Sequence, residues 1–387
     1  MIRTIHIQGF KSIADQTLEL GRVNCLIGAN GVGKSNVLEA IGILGAAANG
    51  RVDDEAILRR GVRPGLPRLY KTSFASGRIP PHITLSAEFG SAAAYQVSLL
   101  NPLDAPEPAW SFKTETLTDG ANSVVSRGVR GNLSPTAGLS ALKVVELAPA
   151  SEAARLLHTL QSFAIYCPNT PTLRGMTQDM QPRLPLGLSG GGLAEGYIAL
   201  RDNSAAEVLD SVLELIDWAN DVDSTETAGA LLSPSVPRSK QVLTFIDRFM
   251  AADRNTLTAY DASEGALYVL FAAILCLSPA SPRVFAVDNL DQALNPRLIT
   301  RLVTRLSGWL KAADPERQLL FSAHNPAVLD GLDLDCDDVR LFAVERNSDG
   351  NTCLRRITLS AQLSKLNQEY PLSRLWIMGS LGAVPNV

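Results

Sequence analysis

The sequence predicts an α/β protein: a mixed or parallel central sheet flanked by helices, with an antiparallel β lobe and a mixed inserted region. Three observations carry this. An apolar strand, Val23 to Ile27, runs straight into a glycine-rich loop and then a helix, Ser35 to Ala47, with Val37, Ile41 and Leu44 at helical spacing. Two further apolar strands, Arg283 to Asp288 and Gln318 to His324, each end in a polar side chain, and a helix from Pro296 to about Lys311 lies between them. The long middle of the chain, roughly 50–245, mixes short periodic segments with Pro/Gly-rich ones, as an insertion between two α/β ends would.

Taken in order, residues 2–8 alternate Ile2, Ile5 and Ile7 with polar neighbours and read as a strand, as does Leu18 to Leu20. Residues 82–89 and 95–100 read as a strand pair. Residues 101–140, rich in Pro, Gly, Ser and Asn, read as irregular. A helix is expected over Ser151 to Ile165, a Pro/Gly-rich stretch over 167–192, and an amphipathic helix over Ser204 to Asn220 with Val208, Leu209, Val212, Leu215 and Ile216 on one face. Residues 221–240 read as an exposed linker and Val242 to Ala251 as helical. An apolar helix, Ala266 to Leu277, follows Asp261-Ala-Ser-Glu-Gly265, and strands near 339–345 and 353–359 close the fold.

Composition sets outer limits. With 387 residues, 46% hydrophobic and 19% charged, the chain can bury a sizeable core. A net charge of −4 argues against a bulk electrostatic grip on nucleic acid. Residues 51–78 are locally basic (Arg51, Arg59, Arg60, Arg63, Arg68, Lys71, Arg78) but interspersed with Asp53, Asp54 and Glu55, so they form either a nucleic-acid contact or a solvated face. The five cysteines are scattered without a C-x-x-C pair, which gives neither a disulfide framework nor a zinc site. No signal-peptide core or bilayer-length apolar run is present, and a reduced, cytoplasmic protein without a membrane partner is expected.

The chemistry starts at Gly28-Ala29-Asn30-Gly31-Val32-Gly33-Lys34-Ser35, which matches G-x-x-x-x-G-K-[ST]. The glycines let backbone N–H groups turn inward around phosphate oxygens, Lys34 reaches the β- and γ-phosphates, and the Ser35 hydroxyl ligates Mg²⁺. The helix that follows offers its positive N-terminus to the anion. Val284-Phe-Ala-Val-Asp288 has the Walker B form, an apolar strand ending in the carboxylate that holds Mg²⁺ with Ser35. ATP and Mg²⁺ are the expected cofactors.

Asp288-Asn-Leu-Asp-Gln-Ala-Leu-Asn-Pro296 resembles the D-E-P-E-x-x-L-H-P stretch of ABC-type ATPases of the SMC, RecF and OLD branch. Ile7-Gln-Gly-Phe-Lys-Ser-Ile13 resembles the N-F-K-S-F opening of that branch, and Ile27 to Ile41 is nearly its consensus. The resemblance covers about 1–45 and 245–345. It implies a P-loop ATPase head in two parts, 1–100 and 246–387, interrupted by an inserted, partly helical region, 101–245. It also implies two ATP molecules held between head-to-tail subunits. Each is gripped by Lys11, Ser12, Asn30, Gly31, Val32, Gly33, Lys34, Ser35 and Asn36 of one subunit and by the signature Ser263 and Gly265 of the other. Leu188-Ser-Gly-Gly191 spells the transporter signature, but it lies far upstream of Walker B and reads as a flexible loop in the insert.

The resemblance makes His324 the switch histidine that orients attacking water. Asn289 stands where the family has a glutamate, and asparagine cannot accept a proton, so slow hydrolysis is expected. Asp291 either turns inward as a substitute base or serves the dimer interface. No Q-loop glutamine is evident. A Toprim nuclease domain does not fit after His324, and the Pro/Gly-rich insert is no coiled coil, so the sequence resembles the compact ATPases of bacterial defence operons. On that reading the chain is an ATP-gated dimeric switch controlling a separately encoded effector, a nuclease. The alternative is a RecF-like ATPase that binds DNA.

Overall fold

The computed structural model describes residues 1–74, 81–128, 138–226, 231–233 and 241–382. Strands β1 (Ile2–Phe10), β2 (Ile13–Glu19) and β3 (Val23–Ile27) lead through the glycine-rich loop into α1 (Lys34–Ala48), followed by the short helices α2 (Asp54–Leu58) and α3 (Pro67–Tyr70). Then come β4 (Ile83–Phe89), β5 (Ala93–Leu100), β6 (Ser111–Asp119), β7 (Asn122–Arg127), α4 (Glu152–Ser162), β8 (Ile165–Tyr166), α5 (Thr170–Leu173), α6 (Leu193–Asn203) and α7 (Ala206–Leu213). Strands β9 (Ala219–Thr225), β10 (Val242–Asp247) and β11 (Thr256–Thr258) precede α8 (Glu264–Leu277), β12 (Val284–Val287), α9 (Pro296–Ala313) and β13 (Gln318–Ala323). The described chain ends with β14 (Val339–Arg346), β15 (Thr352–Ile357), α10 (Ala361–Glu369) and α11 (Leu372–Ile377).

The central sheet has the order β15-β14-β3-β13-β12-β8. It is parallel except for the antiparallel β14–β15 hairpin at its edge. Side chains of its strands alternate between two cores. Leu26, Val284, Ala286 and Leu320 join one with α1, α4 and the lobe sheet. Cys25, Phe285, Val287 and Phe321 join the other with α8 and α9. A strand buried on both faces reads as a continuous apolar run, which is why β3, β12 and β13 are so legible. The antiparallel lobe, β2-β1-β4-β5-β6-β7, covers α1 from the other side, and β11-β10-β9 forms a small third sheet.

Several expectations are corrected. Residues 101–140 are not irregular throughout: β6 and β7 form a hairpin, turned at Gly120 with φ 63°, that extends the lobe sheet beyond β5. The boundary at residue 100 therefore falls inside one sheet. The alternation was masked by Glu115, a fully buried carboxylate held by Tyr95 Oη, Ser140 Oγ and the Ala141 amide. Val242 to Ala251 is not helical; Val242–Asp247 is the strand β10 between β9 and β11. The helix expected to run to Asn220 stops at Leu213, and Ala219–Thr225 pairs with β10 instead of starting a linker. Of the rest of that linker, 227–230 and 234–240 lie outside the described residues, as does Arg78. Among the described residues no helix is long and apolar enough to cross a membrane.

Candidate functional site

Parallel register brings three strand ends to one edge of the central sheet. Ile27 of β3 is level with Ala323 of β13, and Phe321 with Val287 of β12. The residues that follow, Gly28, His324 and Asp288, therefore meet at the carboxyl ends, where open α/β sheets bind ligands.

The loop between β3 and α1 needs its glycines. Gly28, Gly31 and Gly33 have φ of 153°, 76° and 113°. A Cβ on Gly28 would lie 2.2 Å from the Val344 carbonyl, and one on Gly33 would lie 2.3 Å from Thr352 Oγ1. Gly33 is the N-cap of α1, and neither a capping side chain nor a first-turn acid blocks that helix end, so its N–H groups stay open to an anion. Lys34 Nζ donates to the carbonyls of Gly28 (2.7 Å) and Ala29 (2.9 Å) and lies 3.3 Å from His324 Nδ1. Burial lowers its pKa to about 8 against the pull of Asp288 and Asp291.

Ser35 Oγ donates to Asp288 Oδ2 at 2.8 Å. These converging oxygens fit a divalent cation that prefers oxygen ligands. Among the described residues no group of three His, Cys, Asp or Glu could hold a metal by itself, so phosphate and water would complete the shell. Asn289 has φ 60°, and its Oδ1 lies 3.1 Å from His324 Nε2. Burial, then Lys34, lowers the His324 pKa, which favours the neutral ring. The tautomer protonated at Nε2 satisfies both contacts, donating to Asn289 and accepting from Lys34.

One oxygen of Asp291 is engaged by the backbone, and the other, Oδ1, is buried without a hydrogen-bond partner. Its Oδ2 accepts the backbone N–H groups of His324 (2.9 Å) and Asn325 (2.6 Å), which fixes the turn after β13. Lys11 is held by Glu39 and lies over the Tyr70 ring, 5.1 Å from its centroid. Ser12 accepts from Asn36 Nδ2 at 2.7 Å and pairs with Thr352 Oγ1 at 2.6 Å, so it braces the loop from beneath. Asn30 and Gly31 are exposed at the loop tip, where Arg346 Nε donates to the Gly31 carbonyl at 3.0 Å. Val32 is tied through its carbonyl to Thr352 Oγ1 at 2.6 Å.

Ser263 and Gly265 lie at the start of α8 and make none of the contacts just described. Ser263 is the exposed N-cap of α8, accepting from the Ala266 amide, and Gly265 packs beside Leu298, which leaves the exposed end of a buried helix. Leu188-Ser-Gly-Gly191 is not a flexible loop. Leu188 and Gly190 are buried, and Asp179 Oδ2 takes the N–H groups of Ser189 (2.8 Å) and Gly191 (3.1 Å), so those donors are already used.

Sequence reasoning missed Ser322, Thr352 and Arg346. Ser322 had a signal, a lone hydroxyl in an apolar strand. The other two sit far along the chain, and only the β14–β15 hairpin delivers them to the loop. The basic stretch also divides. Arg60 is buried, donating to the Ala56 and Gln161 carbonyls, and cannot face a ligand. Arg51 and Arg59 pair with Asp53 and Glu55. Arg63, Arg68 and Lys71 line an open cleft of about 480 Å³ with Lys11 and Arg346.

The family model "AAA domain, putative AbiEii toxin, Type IV TA system" matches residues 201–330, and "AAA ATPase domain" matches 1–59. Among solved structures, an SMC head bound to the C-terminal winged-helix domain of ScpA aligns over 92% of this chain and 98% of its own, with a TM-score of 0.55 at 14% identity. The chain thus has the fold of an SMC head, and its residues 1–59 and 201–330 are similar to AAA-family ATPase domains. A second SMC head with an extended coiled coil, bound to the C-terminal domain of ScpA from Pyrococcus furiosus, aligns over 95% of this chain at a TM-score of 0.50 and 13% identity. The DNA replication and repair protein RecF of Paenarthrobacter aurescens is 34% identical over 103 residues, 26% of this chain and 25% of RecF. RecF of Porphyromonas gingivalis is 36% identical over 80 residues. The chain thus spans about a quarter of the length of the curated relatives it matches.

Proposed function

We propose that this chain binds ATP with Mg²⁺ at the loop 28–35, pairs head-to-tail with a second copy, and acts as a slowly hydrolysing switch on a separate effector, a nuclease of a bacterial anti-phage system. The convergence of Lys34, Ser35, Asp288, Asn289 and His324 at one sheet edge carries this reading, with the signature Ser263 exposed elsewhere for a partner. Lys34 and the α1 N-terminus bind the phosphates. Ser35 and Asp288 would hold Mg²⁺, which offsets charge on the β- and γ-phosphates when bound. His324 and Asn289 would orient the attacking water. Neither is placed to take its proton efficiently: His324 Nε2 points at Asn289, and an amide side chain is no base. Slow turnover suits a switch, and the family description that mentions a toxin–antitoxin system supports control of an effector.

The test is sedimentation of the chain with and without ATP-Mg²⁺. The reading expects a nucleotide-dependent dimer that Lys34→Ala abolishes; a monomer under both conditions sinks it.

A RecF-like DNA-binding ATPase is the second reading. The cleft lined by Lys11, Arg63, Arg68, Lys71 and Arg346 favours it, since these five cations line it and Glu39 offsets part of the charge of Lys11 and Arg63. It expects DNA affinity that falls with salt and with Arg68→Glu or Lys71→Glu. Unchanged affinity in both variants removes that reading.

A further inference from the structure

Ser322 has no part in the mechanism above, yet it makes more contacts to the Walker B end than any residue named there. It is fully buried on β13, flanked by β3 and β12. Its hydroxyl donates to Asp288 Oδ1 at 2.5 Å. The same oxygen accepts the Asn289 N–H at 2.8 Å. Its carbonyl accepts the Leu290 N–H at 3.1 Å. The roles are unambiguous, because an ionised carboxylate only accepts and a backbone amide only donates. Three consecutive residues after β12 are therefore anchored on one serine of the neighbouring strand.

We propose that Ser322 is a positioning residue for the metal–nucleotide site. With Asp288 Oδ1 engaged, Oδ2 is the oxygen left to face Ser35. With the Asn289 amide held, residue 289 stays left-handed and its side chain stays at His324. Ser322 also sits two residues before His324, which follows β13, and its hydroxyl joins the metal carboxylate to Asn289, whose side chain meets that histidine. A carboxylate fixed by an outer partner binds metal better than one free to rotate, and loss of such partners costs about 10- to 100-fold in metal affinity or activity. A residue that only supported packing would alter nucleotide binding with and without metal alike.

The assignment rests on the ATP reading, and the experiment separates the two. ATP affinity of the whole chain is measured by calorimetry with Mg²⁺ and with EDTA. Ser322→Ala is expected to cut the Mg²⁺-dependent gain in affinity by about tenfold or more while affinity in EDTA stays within about twofold. Ser322→Thr, which keeps the hydroxyl, is expected to restore the gain. If Ser322→Ala does not fold, Ser322→Cys replaces it, since sulfur keeps the size but hydrogen-bonds weakly. An undiminished Mg²⁺ gain, an equal loss in EDTA, or a folded Ser322→Thr that restores nothing overturns the assignment. A wild-type chain that binds no ATP, or binding unaffected by Lys34→Ala, overturns the ATP reading and with it the assignment.

Discussion

Asn289 occupies the left-handed region, which asparagine enters at little cost because its short amide bonds locally, whereas a longer side chain pays the usual Cβ–carbonyl clash. Asn289→Glu therefore has two opposing effects. It should lower stability by about 1 kcal/mol, read from the unfolding midpoint. It should also raise phosphate release at least tenfold, within the range a positioned base supplies. A stable variant with an unchanged rate would mean that residue 289 does not face the attacking water. Lys34 makes a second prediction. Its pKa in the free protein is lowered to about 8, and phosphate binding needs the charged amine. Below pH 8 the lysine is already protonated; above it, binding must draw a proton from solvent. ADP affinity measured without divalent cation should thus be flat to about pH 7.5 and fall as pH rises through 8, where phosphate itself is fully ionised. A flat profile to pH 9.5 would contradict the buried lysine.

At the scale of elements, the loop owes its shape to a hairpin from the other end of the chain. Thr352 of β15 donates to the Val32 carbonyl and pairs with Ser12, and its amide donates to the Ser12 carbonyl. Thr352→Val removes the hydroxyl at constant volume and leaves the Val32 carbonyl without that donor. It should cost about 1–3 kcal/mol and weaken ATP binding, checked by denaturant titration and calorimetry. Undisturbed nucleotide affinity would show that the hairpin is only a neighbour. Helix α8 illustrates packing instead. Phe271 is buried edge-on to Tyr166 at 6.1 Å, and Phe271→Ala should cost about 3–5 kcal/mol with no selective effect on Mg²⁺ dependence. The elements also show where sequence reasoning stops. Val242-Leu-Thr-Phe-Ile-Asp247 is too short for its apolar run to choose between the helical and the strand period, and pairing with β9 decides it. The hairpin β6–β7 was hidden because Glu115 is charged in sequence but buried among Tyr95, Ser140 and a backbone amide.

For the whole molecule, Ser263 is an exposed helix cap whose hydroxyl bonds its own helix and none of the residues around Lys34. The shared-site proposal therefore allows complementation. Lys34→Ala and Ser263→Arg chains should each be inactive alone. A mixture should recover part of the ATPase activity, because a mixed dimer contains one site with an intact loop from one copy and an intact signature from the other. No recovery, with mixed dimers demonstrated, would place the complete site within one chain.

The sequence by itself determined the glycine-rich loop, the apolar strand that ends at Asp288 and the α/β frame. Their information is local: a G-x-x-x-x-G-K-S spacing, and strands buried on both faces that must be apolar throughout. The tertiary structure alone decided what Asp291, Arg60 and the L-S-G-G stretch do, and which distant residues support the loop. A carboxylate, a guanidinium or a glycine loop reads the same in sequence whether its hydrogen-bond partners are a ligand or the chain's own backbone. Parallel register sets Ser322 against Asp288, and the β14–β15 hairpin sets Thr352 against Val32, contacts between residues 34 and 320 apart in sequence that no local pattern encodes.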